Sequence, residues 1–377
     1  MRVWGRILLT LGCLHLATAG CDRGAIAEPP DARTERAARD VRTGQGRGEP
    51  APRAEVEHEG LLIGEFRLAG EPVVDGDTIR VEGIDGSIRL LCLDTEEKIR
   101  SKADRAAVQR DFGRYLSQKR GSAVRPRKAG TPMGDEATAF AKAFFEGVDT
   151  VRLERDDPKE IRGRYGRLLA YVFAKKNGRW TSYNVECVRA GMSPYFTKYG
   201  YSRRFHNQLA HAEAEAREAK RGIWSPAAQG YEDYEERKAW WNARAEFIRT
   251  FDHEANRSED SIELSHSDAM DMLEAKLGQE VTVLGIIDRI QSFKSLVRVS
   301  LVGHQEAKLP LIFRQHEIFR ESGIARYQRE PITVVGTVES YEKGSYRTLQ
   351  IEVTQPGQVS FPALPWPQDE TESNGVR

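Results

Sequence analysis

The chain has no surplus of charge: 57 lysines and arginines balance 57 aspartates and glutamates over 377 residues. Global charge therefore says nothing about a polyanionic partner, and only local clusters inform. Cysteine is scarce. There are four (Cys13, Cys21, Cys92 and Cys187), with no Cys-x-x-Cys and no paired histidines, so nothing points to zinc. The apolar run Ile7 to Leu16 is too short to span a bilayer. Residues 22 to 60 hold almost no large apolar side chains, which excludes a packed core there. The remaining length is enough for two domains.

The richest stretch runs from Val73 to Glu97, VVDGDTIRVEGIDGSIRLLCLDTEE. Asp-Gly pairs between alternating apolar residues predict a hairpin, with strands at Ile79–Val81 and Ile88–Leu93. Antiparallel arms of similar length bring their acidic ends together, so Asp77 faces Asp94. Two such carboxylates repel unless a cation sits between them, and oxygen ligands suit a hard divalent ion. The carbonyl of Thr95 is a further ligand candidate. Arg89 offers a planar fork to a phosphate, and Glu97 stands where a carboxylate can polarise a water. Cation, arginine and carboxylate together are the parts for phosphodiester hydrolysis.

A second arginine follows in Gly163-Arg164-Tyr165-Gly166-Arg167-Leu168-Leu169-Ala170-Tyr171. With Asp75–Thr78, Arg89–Glu97, Asn184–Gly191 and Ala212–Trp224 in order, residues 61 to 224 resemble the thermonuclease family, the staphylococcal-nuclease-like domains. The resemblance implies a Ca²⁺-dependent nuclease acting on DNA and RNA and leaving 3′-phosphates. It assigns Asp77, Asp94 and the Thr95 carbonyl to the metal, and Asp75 to orienting them. It makes Arg89 and Arg167 phosphate-binding catalytic residues and puts Glu97 at the general base. Arg164, Tyr165, Tyr195 and Tyr199 fall where substrate contacts are expected. Two departures stand out. Glu96 replaces the family's proline, which leaves Glu96 and Glu97 both open as the base, and Gly163 replaces an aspartate.

The fold class expected is α+β, mainly β with helices. It comprises a five-stranded oligonucleotide-binding (OB) barrel of the thermonuclease type at 61–225 and a second OB-like barrel at 265–360, joined by a helical linker at 226–264. The second barrel is read from five alternating strands with a helix at 314–323 between the third and fourth. Its aromatic and basic residues suit a single-stranded nucleic acid or a protein partner. Within the first domain, 98–128 is a basic insertion, a lid beside the site that would hold a polyphosphate chain. Trp240 and Trp241 in the linker are expected to be packed.

At the start, Arg2 and Arg6 precede the apolar run, and small residues lead to Cys21. Residues 1–20 resemble a bacterial lipoprotein signal, with Thr18 where leucine is usual. The expectation is an exported protein of the bacterial cell envelope, periplasmic or surface-exposed. Lipidated Cys21 would anchor it to a membrane through a disordered tether, 21–60. The alternative there is an ordinary cleaved signal peptide. Residues 361–377 read as a disordered tail. The alternative for the whole chain is a non-catalytic envelope lipoprotein whose two OB-like domains bind nucleic acid or protein.

Overall fold

The computed structural model describes residues 60–366, apart from 256, 305 and 306. The signal segment, Cys21, most of the tether and the tail beyond 366 lie outside the described residues. No helix among the described residues is long and apolar enough to cross a membrane.

The first barrel opens with β1 (Leu62–Asp75), β2 (Thr78–Val81) and β3 (Ile88–Leu90). The insertion follows as two short helices, α1 (Lys102–Arg110) and α2 (Phe112–Arg120). Asp111 separates them, extended in backbone and capping α2 through its carboxylate. Next come α3 (Pro132–Phe145), β4 (Thr150–Glu154), β5 (Leu169–Lys176), β6 (Arg179–Ser182), α4 (Tyr183–Arg189) and α5 (His206–Glu218). Antiparallel pairs β1–β2, β2–β3, β4–β5 and β1–β4, with β3 parallel to β5, close a five-stranded ring. Ile79, Ile88, Leu90, Leu153, Val172 and Tyr183 fill it.

A long helix, α6 (Tyr234–Ala255), leads out of the first barrel. The second unit contains β7 (Ser261–Glu263), α7 (Ala269–Ala275), β8 (Glu280–Ser292), β9 (Val297–Val302) and β10 (Lys308–Phe313). It finishes with α8 (His316–Ser322), β11 (Pro331–Lys343), β12 (Tyr346–Glu352) and β13 (Val359–Ser360). Strands β8, β9, β10, β12 and β11 pair in that order, β11 returns to β8, and only β10–β12 is parallel. This is the strand order of the first barrel repeated, so both rings have OB topology.

The two barrels are fastened through α6. Trp240 and Trp241 are buried in it. Arg244 ion-pairs with Glu330 just before β11, both side chains fully buried. The Trp240 indole donates to both Glu330 oxygens at 3.2 Å. A buried charge without such partners would be strongly destabilising.

Candidate active site

The site is built where β2 starts and β3 ends. Asp77 immediately precedes β2 and Thr78 pairs with Arg89, so the hairpin sets Asp77 beside Leu90 at the end of β3. Gly76 packs against Thr95: a Cβ there would lie 2.7 Å from the Thr95 methyl and 2.9 Å from Ala137. This close approach lets the Thr95 N–H donate to Asp77 Oδ2 at 3.1 Å. The Tyr183 hydroxyl holds the turn by donating to the Gly76 carbonyl at 2.7 Å. Asn184 spans the ring's seam, donating to Leu91 O at 2.7 Å and accepting from Val172 N–H at 3.0 Å. The Asp94 N–H donates to Ser193 Oγ at 2.9 Å.

Asp77 and Asp94 are nearly buried, at 3% and 7% exposure. Arg89 bridges them, with Nη1 on Asp77 and Nη2 on Asp94 Oδ1 at 2.9 Å. Its Nη2 also donates to Leu93 O at 2.7 Å. One guanidinium on both carboxylates shows that their oxygens converge. Burial alone would disfavour charge on Asp94, but Lys128 and Arg89 outweigh it and hold its pKa below the usual carboxylate range. The Asp77 N–H approaches Asp75 Oδ1 at 3.4 Å, and burial together with the Asp77 charge raises the Asp75 pKa.

Glu96 and Glu97 part company at once, as neighbours in extended chain do. The Glu96 carboxylate is buried and accepts from Thr131 Oγ1, from Tyr231 N–H at 2.8 Å and from Tyr234 Oη at 2.8 Å. It is a structural hub. Glu97 is open to solvent and meets Lys128 Nζ at 3.3 Å.

Asp75, Asp77, Asp94, Thr95 and Glu97 line one cleft of about 640 Å³ together with Arg89 and Arg167. The Arg167 side chain has no hydrogen-bond or ion-pair partner among the described residues, so its fork is available. Tyr165 and Tyr199 line the same cleft and are 76% and 57% exposed.

Two expected substrate contacts need correction. Tyr195 is in the core. It is 2% exposed, with its hydroxyl 3.1 Å from His206 Nδ1 and accepting from Ser202 N–H at 2.9 Å, because the chain between α4 and α5 turns its ring inward. Arg164 lies in the cleft but is committed to an ion pair with Asp288 of the second barrel. The basic insertion is also less available than expected. Lys119 pairs with Asp104, Arg120 with Asp233 and Glu236, and Arg125 with Glu330.

Sequence reasoning missed two cleft residues. Lys128 donates to Asp94 Oδ1 at 2.7 Å; it was one of many basic residues in the insertion, with nothing to single it out. Lys198 also lines the cleft; burial and the nearby Arg244 lower its pKa to about 8. Its burial had no sequence signal. Cys92 and Cys187 are free thiols in the described structure, half-buried and buried respectively.

The model of the family described as staphylococcal nuclease homologue matches residues 87–226. A thermonuclease of Staphylococcus hyicus is 30% identical over 158 residues, which is 41% of this chain and 72% of that protein. The chain belongs to the staphylococcal nuclease family. A thermonuclease of Staphylococcus intermedius is 27% identical over 154 residues, 40% of this chain and 72% of that one. An uncharacterised protein of Bacillus anthracis is 32% identical over 155 residues, and there the match spans only 58% of the relative's length. The nuclease-family match ends before α6, so the second barrel is outside it.

The donors of the nuclease-family site suit a hard divalent cation in chemistry. They are two carboxylates and a backbone carbonyl, all oxygen, and the carboxylates converge. Among the described residues, no group of three acidic, histidine or cysteine side chains forms a ready-made cation site. The Asp94 carboxylate is occupied by Lys128 and Arg89.

Proposed function

We propose that this nuclease-family chain is a divalent-cation-dependent phosphodiesterase, with Ca²⁺ as the cation, that hydrolyses DNA and RNA. The observation that supports it most is a single cleft lined by Asp77, Asp94, Glu97, Arg89 and Arg167. When bound, a cation held by Asp77, Asp94 and the Thr95 carbonyl would supply positive charge to a phosphate oxygen. Glu97, open to solvent beside Lys128, is the carboxylate placed to take a proton from the attacking water, since Glu96 is saturated by three donors. Arg167 presents its fork to the non-bridging oxygens, where negative charge grows in the transition state. Arg89 retains Nε–H and one Nη1–H for the same purpose, while its other contacts hold the two aspartates together. Tyr165 and Tyr199 offer rings for base stacking at the cleft edge. Cleavage leaves 3′-phosphates, as the family resemblance implies. The envelope location and the lipid anchor at Cys21 rest on the sequence alone and belong to the same proposal.

The test is a plasmid and RNA digest by the purified protein, with a chelator and with cation added back. Products that vanish with chelator and return with Ca²⁺ support the reading. Salt-sensitive binding with no cation-dependent product would make the chain a non-catalytic nucleic-acid binder.

A further inference from the structure

Lys128 closes the insertion, and its surroundings fix where its ammonium goes. On one side, the Arg127 carbonyl accepts from Arg237 Nη2 at 2.6 Å. On the other, the Ala129 N–H donates to the Tyr231 hydroxyl at 2.9 Å, and that hydroxyl donates to the Ala129 carbonyl at 2.7 Å. Further back, Arg125 donates through Nη1 to the Gln328 carbonyl at 2.7 Å and reaches Glu330 with Nη2 at 3.4 Å. The backbone of this segment is thus moored to α6, to Tyr231 and to the second barrel. From that mooring Lys128 reaches Asp94 Oδ1 at 2.7 Å and Glu97 at 3.3 Å.

Asp94 Oδ1 therefore accepts from two cations, Arg89 and Lys128. A third, divalent charge on this carboxylate would be repelled by both. Arg89 is fixed by Asp77 and Leu93 O. Lys128 has a flexible stem and is 42% exposed, so it is the one able to leave.

We propose that Lys128 is the resident counter-ion of the Asp94 and Glu97 carboxylates, and that a divalent cation binds by displacing its ammonium. Lys128 thereby sets the cation affinity of the site. This rests on the reading of Asp94 as a metal ligand. It makes the basic insertion a part of the cation site rather than a surface decoration.

The experiment titrates Ca²⁺ alone into the full chain by calorimetry, comparing wild type with Lys128→Ala, Lys128→Met and Asp94→Asn. Lys128→Met keeps the apolar stem, should the alanine variant fail to fold. Both Lys128 variants are expected to bind Ca²⁺ about tenfold more tightly or better, given the strength of a like charge within a few ångströms. Asp94→Asn is expected to lose binding. Unchanged or weaker affinity in both Lys128 variants, with binding still dependent on Asp94, would overturn the counter-ion role and leave the metal assignment standing. Binding to Asp94→Asn equal to wild type would overturn the metal assignment and this inference with it.

Discussion

Arg164, in the turn that carries Arg167, forms an ion pair with Asp288, on the β-bulge of β8 in the second barrel. The pair joins the turn of the first barrel proposed to bind phosphate to a residue far along the chain. Both side chains are partly exposed, so its removal is expected to change stability by no more than about 1 kcal/mol. Its effect on catalysis should be larger, because the turn it steadies positions Arg167. Asp288→Asn is expected to lower kcat by about tenfold, as small misplacements of reacting groups do, with KM little changed. Steady-state kinetics on a short oligonucleotide would measure both. A charge swap, Arg164→Asp with Asp288→Arg, should restore part of the loss. An unchanged kcat in the single variant would remove any role in positioning.

Arg167 has a simpler expected signature. With no partner among the described residues, Arg167→Ala should leave the melting temperature unchanged. It should still cost about 10² to 10³ in kcat, the usual effect of losing one donor to a charged transition state. Full activity in that variant would count heavily against the mechanism.

The two adjacent glutamates should separate cleanly. Glu97→Gln is expected to abolish turnover with the fold intact. Glu96→Gln removes the buried acceptor of three hydrogen bonds. It should destabilise by about 1–3 kcal/mol, and whatever folds should keep its chemistry. Thermal melts and initial rates on the pair decide; the reverse pattern would make Glu96 the base.

Glu160 gives a pH prediction. Burial, with Glu263 and Asp156 nearby, raises its pKa to about 8. A raised folded-state pKa means its contribution to stability is fully present below its unfolded value of 4.5. It is lost progressively as pH rises to about 8 and stays lost above that. Glu160→Gln should therefore melt higher than wild type at pH 9, and by a smaller margin at pH 5. A difference independent of pH would show that Glu160 is not held protonated.

Much of this was legible in the chain. The hairpin announced itself through Asp-Gly pairs set in alternating apolar residues, and the helix expected at 314–323 is present as α8. Trp240 and Trp241 are packed, as two adjacent tryptophans on a charged helix required. The losses share one cause: they depend on partners distant in sequence. Tyr195 reads as a cleft tyrosine until His206 and Ser202 close on it. Arg164 reads as a substrate contact until Asp288 meets it, 124 residues later. Glu96 and Glu97 are equivalent on paper, and only the arrival of Thr131, Tyr231 and Tyr234 distinguishes them. The short strand β6 went unread because its four residues lack a clear alternation.

Glu330 has a practical consequence. It lies in the second barrel, fully buried, and holds Arg244 and Trp240 of α6 along with Arg125 of the insertion. A shortened recombinant form ending near residue 225, cut to match the smaller relatives, would keep every side chain proposed for catalysis and lose the anchor of the loop that presents Lys128. Such a fragment would report on altered surroundings of Asp94, and its kinetics should not be taken as those of a chain that carries the second barrel.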